Sequence, residues 1–295
     1  MKSHLLIGLS AVCFAVIGVL VKIIGNEIPV LTLVFLRCLI ALAFLAVVLP
    51  FFDKKTFVIR RKDAGEYLIV GALMALSLSA FVSANLFAPV QNVVLINKIS
   101  PFFVLVFAYF MLKEKITKTK IMALAIAFIG LIIINPIQSG NYFIGNILAM
   151  ASALFGALMI IEMRKEDQCH SIGDVFWFFL FATIILSPAP FIFGLGNAQG
   201  FIPHLLVLGV IGTGLAYLFY NWGLEKLEAK EASILTTIIT PIFAIQLAVM
   251  ILGEPIEPMV LLGGAILIGA GVYLEFHRKL LKTEQALIRL ATGKK

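Results

Sequence analysis

Apolar stretches of about 20 residues, each closed by a short polar or glycine- and proline-bearing break, run along nearly the whole chain. A helix of that length spans the hydrocarbon core of a bilayer, about 30 Å. The pattern predicts ten such helices, at residues 5–24, 29–51, 67–88, 90–112, 119–136, 142–163, 175–194, 204–224, 231–252 and 258–276, the fifth being the shortest. The first begins almost at Met1 and is read as a retained helix, since no clear small-residue cleavage site follows it.

The fourth and ninth segments repeat one another. Asn97-Lys98-Ile99-Ser100-Pro101-Phe102-Phe103 reappears in the second half as Thr237-Ile238-Ile239-Thr240-Pro241-Ile242-Phe243. Laid without a gap, residues 92–116 and 232–256 share eight identities in 25 positions, and both stretches run from a proline to a glutamate, Glu114 and Glu254. The offset divides the chain into a first repeat at 1–140, a second at 141–276 and a basic tail at 277–295. Five spans per repeat is an odd number, so the second repeat is expected upside down relative to the first, an arrangement common in secondary transporters. The fold class expected is an all-α integral membrane protein of ten transmembrane helices in two inverted five-helix repeats.

Composition agrees. Hydrophobic residues make up 61% of the 295 and charged residues 13%, against about a quarter charged in soluble domains. The net charge of +7 is topology rather than a nucleic-acid surface. Of 23 lysines and arginines, 20 fall in loops or tail on the side of the N-terminus, and the loops near 25–28, 89, 137–141, 195–203 and 253–257 hold none. Cytoplasmic loops collect Lys and Arg, so both termini are expected in the cytoplasm. The tail carries Leu280, Leu281, Leu287, Ile288 and Leu290 among its bases; it reads as a solvated topology signal, with a helix on the inner leaflet as the alternative. Cys13, Cys38 and Cys169 form neither a disulfide framework nor a metal-ligand spacing.

Three cations remain inside the spans: Lys22, Arg37 and Lys98. Intramembrane charges are costly and mark functional sites by default. Arg37 and Lys98 each lie eight residues into their segments, about 12 Å deep, and are expected to converge on one cavity. Lys22 is near the outer end of its helix and is expected to snorkel. Acidic residues are expected only at helix ends and in loops, leaving Arg37 and Lys98 without a carboxylate partner, which favours an anionic or zwitterionic ligand. Pro101 and Pro241 leave the carbonyls of Asn97 and Thr237 without their helical N–H partners. With Ser100 and Thr240 they predict a polar spot and hinge near mid-membrane, a simple kink being the plainer reading. Tyr217 and Tyr220 are candidate cavity walls. Trp222 reads as an interfacial residue, Gln246 as either cavity-facing or an interhelical donor, and Gly263, Gly264, Gly269 and Gly271 as close-packing positions. No nucleophile, zinc-binding helix or nucleotide-loop pattern supports an enzyme.

With ten spans in two copies, Phe35-Leu36-Arg37, the stretches 101–114 and 241–254, and the close from Leu252-Gly253-Glu254-Pro255 to Gly269-Ala270-Gly271-Val272-Tyr273, the chain resembles the drug/metabolite transporter superfamily in its EamA branch. The resemblance implies an inner-membrane carrier working by alternating access. It implies a cavity lined by helices 1–4 and 6–9, helices 5 and 10 being peripheral, and cargo such as amino acids and their derivatives, S-adenosylmethionine, vitamins or sugar phosphates. Lys98 before the proline departs from the general pattern. The site expected comprises Arg37, Lys98, Asn97, Ser100, Thr237, Tyr217 and Tyr220, with Pro101 and Pro241 as hinge. The expected partners are a small-molecule substrate and membrane lipid, with a homodimer left open; no nucleic acid, cofactor or metal is expected. The rival reading is a non-transporting membrane scaffold or assembly subunit.

Overall fold

In the computed structural model, residues 2–52, 64–113, 117–134, 142–165, 172–224, 227 and 229–273 are described. The basic tail, Glu114, Cys169 and most of the loops that set the charge asymmetry lie outside them. The described residues are mostly helical, with no strand among them. The helices are α1 (Lys2–Ile24), α2 (Val30–Val48), α3 (Ala64–Phe87), α4 (Val90–Asn97), α5 (Ser100–Leu112), α6 (Lys118–Ile134), α7 (Phe143–Lys165) and α8 (Ile172–Leu186). Then come α9 (Ala189–Phe193), α10 (Ile202–Leu206), α11 (Ala216–Leu224), α12 (Ala229–Leu247) and α13 (Pro258–Tyr273). Two π-helical turns interrupt the second half, Val207–Leu215 before α11 and Ala248–Leu252 after α12.

Eight stretches are long and apolar enough to cross a membrane, which makes this a multi-pass membrane protein. Short helices join within these stretches: α4 with α5, α8 with α9, and α10 with α11. The expected fifth and tenth segments are shorter apolar helices, Lys120–Ile134 and Pro258–Tyr273, so the ten-span expectation is met in full length by eight.

Helix pairing follows a pattern. α1 packs on α11 and α12, while α7 packs on α3, α4 and α5. α2 packs on α8 and on the first π turn, and α3 on α8. The crossings use small residues, as expected where lipid removes any apolar advantage for one helix over another. A Cβ added at Gly130 of α6 would lie 2.7 Å from the Gly263 carbonyl of α13, and one at Gly263 would lie 2.6 Å from the Gly130 carbonyl. Gly264 is likewise filled by Leu95, whereas Gly269 and Gly271 face open space, so the close-packing expectation holds for the first two of the four.

The two proline-bearing stretches end alike. Lys113 is left-handed at φ 54° with its N–H on the Ala108 carbonyl. Gly253, 140 residues further on, is left-handed at φ 65° with its N–H on the Ala248 and Val249 carbonyls. Glycine suits that conformation and lysine does not. Lys113→Gly is expected to leave stability unchanged or raise it by up to about 1 kcal/mol, and Lys113→Val to lower it by about 1–2 kcal/mol, read as thermal unfolding in detergent. Gly263→Val must push α6 and α13 apart and is expected to cost about 2–3 kcal/mol in the same measurement.

Candidate functional site

Pro101 breaks its helix. It has no N–H for the Asn97 carbonyl, and the chain passes from α4 to α5 through Lys98 and Ile99. Their N–H groups fall back on the Leu95 and Ile96 carbonyls at 3.1 and 3.0 Å, tighter turns than an α-helix makes. Pro101 then sits in the first turn of α5, where a missing N–H costs nothing. Pro241 does not break its helix; α12 runs through it to Leu247. The two equivalent breaks expected from the repeat are therefore one break and one helix with an interrupted bond.

The break gathers polar side chains. Asn97 Nδ2 donates to Ser152 Oγ of α7 at 3.1 Å, and Ser77 Oγ of α3 donates to the Ser152 carbonyl at 2.9 Å. Ser100 lies beside the same patch: a Cβ at Gly156 of α7 would be 3.5 Å from Ser77 Oγ and 4.0 Å from Ser100 Oγ. Lys98 Nζ reaches across to α12 and donates to the Thr236 carbonyl at 3.4 Å, one residue before the carbonyl that Pro241 leaves without a helical partner. Thr237 and Thr240 are buried on the same helix. A crevice of about 10 Å³, room for about one water, opens between Pro101, Ser233, Thr237 and Gly271.

Arg37 lies in a second cluster. Its side chain is 1% exposed; Nε donates to Thr213 Oγ1 at 2.7 Å, and Thr213 Oγ1 donates to the Leu208 carbonyl at 2.8 Å. That last bond reaches back five residues and fits the wider π turn, which carries Thr213 toward α2. Arg37 Nη1 is buried with no hydrogen-bond partner. Tyr217, one turn beyond Thr213, stands edge-on between Phe14 of α1 and Phe179 of α8, each 5.2 Å away. Tyr220 packs elsewhere, against the small cluster of Ile7, Leu227 and Ala232. Arg37 is thus bonded to Thr213 of the first π turn, and Lys98 to the Thr236 carbonyl of α12.

Other expectations sort themselves. Lys22 forms an ion pair with Glu254 at 3.0 Å instead of simply snorkelling. Asp174, expected in a loop, is in the first turn of α8, buried, and accepts the Tyr67 hydroxyl at 2.7 Å; a carboxylate there also meets the positive end of the helix. Gln246 lies on α12 in the same outward-facing region as the exposed Ile242 and Phe243. Trp222 meets Phe52 edge-on at 4.6 Å, near the ends of two spans, as an interfacial residue should. Sequence reasoning missed Ser152. Its one signal is a hydroxyl standing between two alanines, Ala151 and Ala153, in an apolar run. No group of His, Cys, Asp and Glu fit to hold a metal occurs among the described residues.

The chain is similar to the pseudopaline exporter CntI of Pseudomonas aeruginosa, 26% identical over 64% of this chain and 66% of that one. It is similar to the biotin transporter of Escherichia coli K12, 25% identical over 74% of this chain and 75% of that one. A solved crystal structure shares the fold with a TM-score of 0.64 at 17% identity, covering 92% of this chain and 96% of its own. The EamA-like transporter family matches residues 1–135 and 143–276, and the chain belongs to that family.

Proposed function

We propose that this protein carries a small anionic or zwitterionic metabolite across the inner membrane by alternating access between two inverted five-helix halves, with both termini in the cytoplasm. The observation that carries the reading is a guanidinium buried within a membrane span with one nitrogen unpartnered, Arg37 Nη1. An uncompensated polar group in a low-dielectric slab costs free energy that a bound carboxylate returns. Lys98 supplies a second cation at the helix break, and its bond to the Thr236 carbonyl is weak enough at 3.4 Å to be exchanged for cargo. Asn97, Ser100, Ser152 and Thr237 offer neutral hydrogen bonds beside it, and Tyr217 an aromatic wall at the Arg37 cluster.

Helix pairing supports the two-half arrangement. Moving every helix to its counterpart in the other repeat turns the α1 contacts with α11 and α12 into the α7 contacts with α3, α4 and α5. The crossing of α6 and α13 pairs two counterparts directly, Gly130 against Gly263. Relatives named as an exporter and a transporter support carriage of a solute over an enzyme or a scaffold.

Reconstituted vesicles loaded in turn with labelled glutamate, malate, biotin and leucine test the reading. Arg37→Met and Lys98→Met are each expected to lower flux of an accepted acid by about tenfold or more, the cost of about 1.4 kcal/mol in binding. Flux and selectivity unchanged in both variants would remove the charge assignment. Thr213→Val, which strips Arg37 of its oxygen partner, is expected to lower stability by about 2 kcal/mol, while Thr213→Ser keeps the bond and most of the stability.

A further inference from the structure

On the side of the bilayer away from the N-terminus, one carboxylate ties three spans together. Gly253 turns the chain through its left-handed conformation, and the Glu254 N–H bonds back to the Ala248 carbonyl at 3.3 Å. The carboxylate then points at α4. Its Oε2 and Oε1 accept the Val90 N–H at 2.9 and 3.2 Å, and Oε1 lies 3.0 Å from Lys22 Nζ of α1. A helix N-terminus and an ammonium thus share one anion, and both contacts favour it. Gln91 adds a second clasp, donating to the Pro255 carbonyl at 3.0 Å and accepting the Glu257 N–H at 3.4 Å.

Next to this clasp lies a separate apolar cluster of Ala15, Val19, Val90, Val94, Ala244 and Ala248, drawn from the same three spans and the π turn. Its members are small, and α1 comes close at Gly18, where a Cβ would fall 2.9 Å from Val90. α1 and α4 belong to the first half of the chain and α12 to the second, so clasp and plug together close the seam between halves on this side. The side chains of Lys22 and Glu254 are 26% and 12% exposed. Lys22 is in the last turn of α1 and Glu254 follows the second π turn, so the pair lies at span ends, where each partner rehydrates when they part, unlike a charge pair at mid-membrane.

Resting on the carrier reading and the orientation above, we propose that Lys22, Glu254 and the first turn of α4 form the outer gate of the transport route, shut in this structure, with the small-residue cluster as its plug. Opening to the outside breaks the Lys22–Glu254 pair and frees the Val90 N–H, uncovering Ala248.

The test needs no cargo, so it stands apart from flux. Ala248→Cys is placed in the full chain, and sealed membrane vesicles with their outer face exposed are treated with a membrane-impermeant charged maleimide. Labelling is read residue by residue by mass spectrometry, with the native Cys38, wholly buried in the neighbouring core, as internal control. Position 248 is expected to label slowly alone and about tenfold faster when Lys22→Met or Glu254→Ala is added, a shift in an open–closed equilibrium worth one charge-assisted contact. Glu254→Gln, which keeps an oxygen for Val90, is expected to fall between. Labelling at 248 unchanged by both Lys22→Met and Glu254→Ala overturns the gate. So does a rise at 248 matched by Cys38, which would make the pair a strut of the fold. A protein that passes no solute yet shows the selective rise at 248 removes the carrier reading and leaves the opening motion standing.

Discussion

Hydrocarbon offers no partner to a buried polar atom, and every polar group inside these spans must find one in the protein. Most do, and the bonds they make decide which helices meet. Arg37 holds α2 to the first π turn through Thr213. Asn97 and Ser77 hold α4 and α3 to α7 through Ser152. Lys98 holds the break to α12. Arg37 Nη1 is left without a partner among the described residues, and it is there that the proposed cargo would bind.

Packing does the complementary work. Without an apolar driving force between helices, close backbone approach supplies the attraction, and glycine permits it. Gly209 lets the π turn press on Ile40 and the Arg37 carbonyl of α2, the approach that brings Thr213 within reach of the guanidinium. On the side away from the N-terminus, Gly196 fits its left-handed turn against Glu27, whose carbonyl accepts the Asn197 N–H at 2.8 Å. Thr32 adds a bond to the Gly194 carbonyl at 2.9 Å, tying the start of α2 to the loop after α9. That side is thus fastened in two places, by loop against loop and by Glu254 against Lys22 and α4.

Much of this was legible in the chain because membrane helices advertise themselves by length, and because a duplicated stretch around Pro101 and Pro241 survives in plain sight. The intramembrane cations Lys22, Arg37 and Lys98 were likewise visible in the sequence. What the sequence hid was partnership. Lys22 looked like a snorkelling end residue because its carboxylate lies far along the chain, in the turn after Gly253 near the close of the second repeat. The partners of Arg37 and Lys98, Thr213 and the Thr236 carbonyl, were hidden too, because direction depends on helix rotation, which apolar spans without a polar face do not encode. Ser152 was inconspicuous because a lone hydroxyl in a helix usually bonds its own backbone. The π turns left no mark at all: Val207–Leu215 reads as any other apolar run.

The two halves repeat in sequence but differ mechanically. One proline sits at a joint between α4 and α5, while the other lies within an unbroken α12 that is followed by the π turn at Ala248–Leu252. In the proposed cycle, halves that were truly interchangeable would hold the inward- and outward-facing forms at equal energy, because swapping the halves would convert one into the other. In that proposed cycle the differing placement of the breaks would lift the degeneracy and give the chain a resting preference in its own backbone, before any solute or gradient acts on it.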